Sequence, residues 1–194
     1  MTDEHEHHHH EHVSYPDAVR NYRADRDEMF RSNAGSPIPV GDRAAFTGLP
    51  YFEVDEALRF EGLALEPFSG DEPADFQIPT TTGQLRSARR AGAFHFELDG
   101  TPASLTAYVF EADGFDKSSV FVPFLDRTSG TETYGAGRYL DLEREHDGTY
   151  ALDFNLAYHP LCVYDPKFSC PVTPAENRLP VRVEAGERLA PGHS

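Results

Sequence analysis

Two Asp-Gly turns between runs of alternating apolar and polar residues constrain the fold more than any other feature of this sequence. At Asp99-Gly100 a two-residue type I′ loop suits the flanking runs. The register that follows pairs Phe96 with Ala103 and places apolar residues on one face. It also pairs Phe94 with Leu105. The opposite face carries His95, Ser104, Thr106 and Tyr108. We therefore predict a β-hairpin around this turn.

The second turn needs a longer loop. A two-residue loop at Asp147-Gly148 pairs Leu142 with Asp153 and mixes the two faces. A three-residue loop, with Gly148 in the left-handed conformation, pairs Leu142 with Leu152 and keeps the apolar residues together. The apolar pattern therefore predicts the three-residue loop, between strands at 138–143 and 149–155.

One helix and several more short strands complete the pattern. Ser14 can cap a helix that ends before Gly35 and Pro37. Its apolar residues fall at helical spacing, with Arg26 between them: Tyr15, Ala18, Val19, Tyr22, Met29 and Phe30. Further strands fit residues 60–65, 119–124 and 180–184. Many short strands and one helix predict a mainly β fold, an antiparallel barrel or sandwich with an N-terminal helix packed against it.

Composition limits the setting of the chain. The 194 residues suit one domain, which we place at 15–194 after a disordered His/Glu-rich tail at 1–14. Acidic residues give a formal net charge of −16, and only Lys117 and Lys167 are lysines. This balance is typical of proteins adapted to high salt, which screens surface charge; an ordinary acidic protein is the alternative. No basic stripe exists to neutralise phosphates, so we expect no nucleic-acid partner.

Targeting signals are missing from the sequence pattern. No segment approaches the roughly 20 apolar residues of a membrane span, and the acidic N-terminus is unlike a signal peptide. Two cysteines cannot form the disulfide scaffold of a small secreted domain. We therefore expect a cytoplasmic protein without a membrane partner.

Residues 121–187 concentrate aromatic residues, glycines, acids and both cysteines. The segments VPFLDRTSGTETYGAGRYLDL, DFNLAYHPLCVY and ENRLPVRVEAGE, with FTGLPYFEVDEALRF upstream, resemble the family called domain of unknown function 1684. The resemblance spans roughly residues 17–188. It implies a single domain whose second half is important, and it implies no particular activity.

A glycine-rich polar loop in this half suggests a ligand site. Glycines let a backbone approach a ligand closely, and the Arg138 guanidinium can recognise a carboxylate or phosphate. We predict a pocket for a small anionic ligand, beside Asp126 and Asp153. Its candidate ligand-binding residues are Tyr134, Gly135, Gly137, Arg138, Tyr139, Asn155 and Tyr158. The alternative is a structural loop in which Asp126 caps turn amides and Arg138 pairs with an acid.

Paired aspartates offer a second chemistry. The register of the second hairpin places Asp141 opposite Asp153, where like charges repel unless they are compensated. Such a pair could hold Mg²⁺ or Ca²⁺, or divide into acid and base. With Asp126, these residues are the candidate catalytic groups of a metal-assisted hydrolase. The alternative is an exposed acidic face on a protein adapted to high salt.

Histidines and cysteines offer further metal sites. The tail can bind Zn, Ni or Cu as a metal buffer through His5, His7, His8, His9, His10 and His12; the alternative is a solvated tail that binds metal incidentally. Cys162, Cys170 and His159 could ligate Zn, although a fourth ligand is not evident. A disulfide and two buried thiols are the other possibilities for the cysteines.

Overall fold

The structure, a computed structural model, describes residues 13–190. It begins with helix α1 (Tyr15–Ser32), and the Ser14 hydroxyl oxygen caps it by accepting a hydrogen bond from the Asp17 amide at 3.3 Å. Val19 and Phe30 are buried, whereas Ala18, Tyr22 and Met29 of the predicted stripe are exposed. No helix among residues 13–190 is long and apolar enough to cross a membrane.

Eight strands follow within residues 13–190, and all of the pairings between them are antiparallel. They are β1 (Arg59–Leu63), β2 (Glu66–Pro67), β3 (Asp75–Pro79), β4 (Leu85–Leu98), β5 (Thr101–Phe110), β6 (Ser119–Phe124), β7 (Arg138–Glu143) and β8 (Tyr150–Asp153). One sheet has the order β2-β4-β5-β6-β7, with β3 also paired to β4. Strands β1 and β8 form a second, two-stranded sheet.

The fold is mainly antiparallel β with an N-terminal helix, as the sequence predicts. Among the described strands, the ends of the larger sheet (β2 and β7) do not pair, so the sheet does not close into a barrel. Both sheets contribute to one apolar core, in a sandwich-like arrangement. Phe94, Leu105 and Val122 enter this core from the larger sheet, and Leu152 enters it from β8.

The first predicted hairpin is confirmed. Asp99 and Gly100 have φ values of 51° and 70°, the two positive angles that a type I′ turn needs. Phe96 pairs with Ala103, and Phe94 pairs with Leu105. The local turn chemistry and the apolar alternation therefore specify β4 and β5 together.

The second hairpin forms only at its tip. Gly148 has a φ of 89°, and the Glu145 amide donates to the Thr149 carbonyl at 2.8 Å, so the three-residue loop is confirmed. Beyond the loop the strands separate, and Asp153 pairs with Arg59 of β1. Asp141 pairs with Phe121 of β6. The predicted pairing of Asp141 with Asp153 is therefore wrong.

Strand β8 ends at Asp153, where a tight turn begins. The Asp153 carboxylate accepts a hydrogen bond from the Asn155 amide at 2.9 Å and caps a short 3₁₀ turn at Phe154–Leu156. The chain leaves the strand conformation at that point, and Leu152 and Phe154 enter the core instead of lying on β7.

The predicted strand at 180–184 is also wrong, because this segment is irregular. The Arg127 amide donates to the Val181 carbonyl at 2.9 Å, but the Val183 amide donates to the Asp126 side chain at 2.7 Å. Side chains thus take the place of a regular strand ladder. These contacts hold the C-terminal segment against the loop between β6 and β7.

Candidate functional site

Arg138 lies in the core and binds the C-terminal segment. Its Nη1 donates to the carbonyls of Ala185 and Glu187, and its Nη2 donates to the Val183 carbonyl at 2.8 Å. Nη2 also lies 3.5 Å from Asp126 Oδ1. Burial lowers the pKa of Arg138 to about 10, although the neighbouring carboxylate of Asp126 opposes that shift. Both terminal nitrogens are therefore engaged within the protein.

Asp126 organises the loop that follows β6. Its carboxylate accepts hydrogen bonds from the Thr128 amide at 3.2 Å, the Thr128 hydroxyl at 2.9 Å and the Ser129 hydroxyl at 3.2 Å. The Val183 amide and Arg138 also contact this carboxylate, so both of its oxygens have partners within the protein. This geometry corresponds to the structural alternative, in which Asp126 caps turn amides and pairs with Arg138.

The glycines of this loop also serve the fold. Gly137 has a φ of 101°, and a Cβ at this position would lie 2.5 Å from the Phe124 carbonyl oxygen. The close approach is therefore to strand β6. Gly135 is exposed, and a Cβ added to it would lie 3.6 Å from the Gly130 Cα, an ordinary contact distance.

The polar groups of the other predicted ligand-binding residues contact different parts of the protein. The Tyr139 hydroxyl donates to the Pro171 carbonyl, and the Tyr158 hydroxyl donates to Asp141. The Asn155 side chain donates to the Asp55 carbonyl at 2.7 Å. The structure thus engages Arg138, Tyr139 and Asn155 internally, through contacts in different parts of the protein.

Asp141 and Asp153 line one cleft of about 500 Å³ between the separated strands β7 and β8. Asp153 is buried, and it accepts the Tyr15 hydroxyl at 2.8 Å, which attaches the start of α1. Asp141 is an exposed residue. Desolvation of its carboxyl group by the surrounding protein raises its pKa, and the hydrogen bond from Tyr158 opposes part of that shift. Asp126 lies elsewhere, beside Arg138, so the three candidate aspartates do not converge.

The candidate metal-ligating side chains lie in different parts of the chain. The six tail histidines lie outside the described residues. Within residues 13–190, no group of three His, Cys, Asp or Glu side chains is arranged to hold a metal ion. Cys162 and Cys170 are free thiols packed beside a cluster that includes Tyr139, and burial raises the pKa of Cys162 to about 11.

Glu187 is a buried polar residue that the sequence does not single out. It is completely buried, and its carboxylate pairs with Arg26 of α1. The same carboxylate accepts the His159 amide at 2.7 Å and the Tyr164 hydroxyl at 3.0 Å. One signal pointed to it: Arg26 interrupts the apolar spacing of α1, and a buried arginine requires an acid partner.

His159 has one nitrogen with a partner and one without. Its Nε2 accepts a hydrogen bond from the Tyr134 amide at 3.2 Å. Its Nδ1 is 3.7 Å from Glu187 Oε2, which is too long for a hydrogen bond, and no other described group satisfies it. Burial, reinforced by the charges of Arg138 and Arg26, lowers the pKa of His159 to about 3. The ring is therefore neutral near pH 7, with its proton on Nδ1.

This histidine lines a mainly apolar cleft of about 380 Å³, which we call the His159 cleft. Three segments form it, at 38–50, 159–164 and 188–190. Its lining comprises Ile38, Pro39, Asp42, Phe46, Gly48, Leu49, Pro50, His159, Val163, Tyr164, Arg188, Leu189 and Ala190. The imidazole of His159 is fully buried behind this lining, and its Nδ1 lies nearest to the Glu187 carboxylate. With Nε2 occupied and a pKa of about 3, it is a poor general base at neutral pH.

Comparison with known proteins identifies a matching family and a solved structure with a similar fold. The family model described as "Protein of unknown function (DUF1684)" matches residues 44–188. An uncharacterized protein of Haloarcula marismortui, solved in solution by NMR, is 35% identical with a TM-score of 0.66. The alignment covers 91% of this chain and 95% of that chain. No curated protein matches.

Proposed function

The chain belongs to the DUF1684 family, and because that description names no activity, we propose a function from the geometry: the domain binds a small molecule in the His159 cleft. The observation that carries the proposal is the cleft itself, a concave site of about 380 Å³ whose mainly apolar lining includes the charged side chains of Asp42 and Arg188. A concave and mostly apolar site with a few polar groups is the usual form of a small-molecule site.

The shape of the cleft supports the same function. Its volume of about 380 Å³ falls within the range of small-molecule sites. The lining combines aliphatic and aromatic side chains with a few polar groups at fixed positions, which is the usual composition of a ligand pocket. A ligand would bury its apolar part against Ile38, Phe46 and Leu189, and its polar part would lie near the charged side chains of Asp42 and Arg188.

This proposal moves the predicted ligand site away from Arg138. The nitrogens Nη1 and Nη2 of Arg138 already bind carbonyls of the C-terminal segment, so the side chain has little capacity left for an anion. A small-molecule-binding role still fits the chain, but different residues carry it. The hydrogen bond to Nε2 and the low pKa of His159 favour binding over acid–base catalysis at this position.

A substitution that fills the cleft tests the proposal. We expect fragment-sized acids, alcohols and amines, screened by NMR, to shift signals of the three lining segments. Val163→Phe adds bulk to the lining and should abolish those shifts. Val40→Phe is the matched control, because Val40 is 79% exposed and does not line the cleft. Absence of any ligand in the cleft, or unchanged binding in Val163→Phe, would contradict the proposal.

A further inference from the structure

We propose that Cys162 and Cys170 are a modification site, at which a hydroperoxide oxidises the two free thiols to an intramolecular disulfide. The reaction does not depend on ligand binding in the His159 cleft. Three features of the structure support it: the thiols are neighbours, the backbone around them is fixed, and only one of them is accessible to an oxidant.

The two thiols lie side by side, although seven residues separate them along the chain. Both side chains pack against one cluster of aromatic residues that includes Tyr139. Burial raises the pKa of Cys162, and a hydrogen bond with the Cys170 thiol raises it further, so the two sulfur atoms are in contact. A disulfide requires Cβ atoms about 3.5–4.5 Å apart, which only neighbouring cysteines can reach. The fold thus brings together the two groups that must react.

The backbone holds both cysteines in place. Cys162 lies in a short 3₁₀ turn at Leu161–Val163. The Cys170 carbonyl accepts the Thr81 amide at 2.8 Å, and the Cys170 amide donates to the Thr81 hydroxyl at 3.1 Å. These contacts connect the second cysteine to the turn after β3, so the thiols are already positioned in the reduced protein.

The difference in exposure determines which thiol reacts first. Cys162 is half-buried, whereas Cys170 is only 8% exposed. A peroxide therefore reaches the Cys162 sulfur, whose thiolate attacks the O–O bond; the bond breaks, one oxygen leaves as water, and a sulfenic acid forms. The Cys170 thiolate then attacks this sulfur, the S–O bond breaks, and the hydroxyl group leaves as a second water. Two thiols are oxidised to one disulfide, and one hydrogen peroxide is reduced to two waters.

The disulfide would restrain one wall of the His159 cleft. The closed loop contains Val163 and Tyr164, which line that cleft. The Tyr164 hydroxyl also donates to the buried Glu187 carboxylate at 3.0 Å. A cross-link limits the conformations of the unfolded chain, so the oxidised protein should be more stable than the reduced protein.

Burial makes the reaction slow near pH 7. The pKa of Cys162 is about 11, because burial disfavours the thiolate and the neighbouring Cys170 thiol adds to the shift, while hydrogen bonds with Thr81 and Tyr134 oppose it. Only the thiolate attacks a peroxide. We therefore expect the rate of disulfide formation to increase about tenfold for each pH unit between about pH 7 and about pH 9.

Peptide mapping of the unaltered protein tests the proposal. Lys167 lies between the cysteines, so trypsin places them on separate peptides, 145–167 and 168–178. After treatment with hydrogen peroxide, we expect these peptides to remain joined, to lack the two thiol hydrogens, and to separate on reduction with dithiothreitol. Oxygen added to Cys162 without joined peptides, or joined peptides found only in covalent dimers, would overturn the proposal. Unmodified thiols after prolonged treatment at about pH 9 would overturn it as well.

Two serine substitutions separate the roles of the thiols. In Cys170→Ser we expect Cys162 to stop at the sulfenic acid, which dimedone traps. In Cys162→Ser we expect Cys170 to remain a thiol, because it is buried. Equal rates of oxidation in the two variants would contradict the attack on Cys162 first.

Thermal unfolding gives a second readout. Oxidation should raise the melting temperature of the unaltered protein by about 5 °C and should leave both serine variants without this increase. An equal increase in a variant that cannot form the disulfide would contradict the cross-link as its cause. Should a variant unfold, the peptide map of the unaltered protein still decides whether the disulfide forms.

Discussion

The guanidinium of Arg138 lies 3.5 Å from the carboxylate of Asp126, and both side chains are buried. This pair joins the loop after β6 to the C-terminal segment, because Arg138 binds the Val183 carbonyl and Asp126 binds the Val183 amide. Both residues are of types that often bind ligands. In this protein, their charged groups instead bind the C-terminal segment, which is irregular and forms no strand.

Removal of Arg138 should destabilise the fold. Arg138→Ala leaves the Asp126 carboxylate buried without its cation, and it leaves three carbonyl groups without a donor. We expect a loss of about 3 to 5 kcal/mol in the free energy of unfolding, measured by urea denaturation. Arg182→Ala is the control, since that exposed arginine pairs only with the surface acids Glu132 and Glu184 and should cost about 1 kcal/mol or less. Similar losses in the two variants would contradict the structural role.

Local features of the fold were predictable from sequence. The Asp99-Gly100 turn, the Gly148 loop and the Ser14 cap each depend on a few neighbouring residues. The separation of β7 from β8 was not predictable in the same way, because it depends on β1, which lies roughly ninety residues away. The Asp141–Asp153 pairing failed for this reason: Asp153 pairs with Arg59 of the distant strand β1, while Asp141 pairs with Phe121 of the preceding strand β6.

The candidate site was predictable only in part. Sequence drew attention to His159, but as a zinc ligand with the cysteines, and it singled out Arg138 for a ligand. Burial distinguishes these roles, and a sequence motif does not report burial. Glu187 was missed because one acid among 33 acidic residues carries no local signal. Its importance comes from Arg26, which is distant in sequence and lies before the segment that the family model matches.

The glycine loop offers a matched pair of substitutions. Gly130 and Gly137 both have positive φ values, 85° and 101°, so alanine is strained at either position. Only Gly137 also lies against backbone, since its added Cβ would be 2.5 Å from the Phe124 carbonyl oxygen. We expect Gly130→Ala to cost about 1 kcal/mol and Gly137→Ala to cost at least about 1 kcal/mol more, by thermal or urea unfolding. Equal costs would indicate that the contact with Phe124 is unimportant.

Glu187 should stabilise the attachment of α1. Glu187→Gln removes the charge that compensates Arg26, whose side chain is only 12% exposed. Breaking a buried ion pair by removing one partner costs about 3 to 5 kcal/mol, and we expect a loss of that order in the free energy of unfolding. Glu184→Gln is the control, since Glu184 is exposed and lies three residues away along the chain. Hydrogen exchange of α1 amides should quicken in the Glu187 variant alone; equal exchange in both would contradict the assignment.

The net charge of −16 predicts a dependence on salt. Repulsion among surface acids acts over a Debye length, which falls from about 10 Å at 0.1 M salt to about 3 Å at 1 M. We expect the melting temperature to rise with KCl over this range. Replacing the exposed residues Glu143 and Glu145 by Gln, beside Asp141, should raise the melting temperature at low salt and flatten the dependence. A melting temperature that is independent of KCl would contradict an adaptation to high salt.

The buried imidazole of His159 predicts an acid-sensitive fold. Its pKa is about 3 in the folded protein and 6.5 in the reference state, so the unfolded chain binds a proton at a pH where the folded chain does not. Protonation therefore favours the unfolded state: the contribution of His159 is fully present above about pH 6.5 and is lost as the pH falls toward about 3. For one proton the slope approaches about 1.4 kcal/mol per pH unit.

The variant His159→Asn isolates this contribution, because asparagine does not titrate. Carboxylates such as Asp153 change stability with pH in both proteins, so their effect cancels in the difference between the two free energies of unfolding. Urea denaturation between about pH 7 and about pH 4.5 should show the unaltered protein losing stability more steeply than the variant. The lines should converge as the pH falls, since protonation of the unfolded chain removes the advantage of the neutral ring. Parallel lines would mean that His159 titrates normally in the folded protein, and they would contradict the burial of a neutral ring at this position.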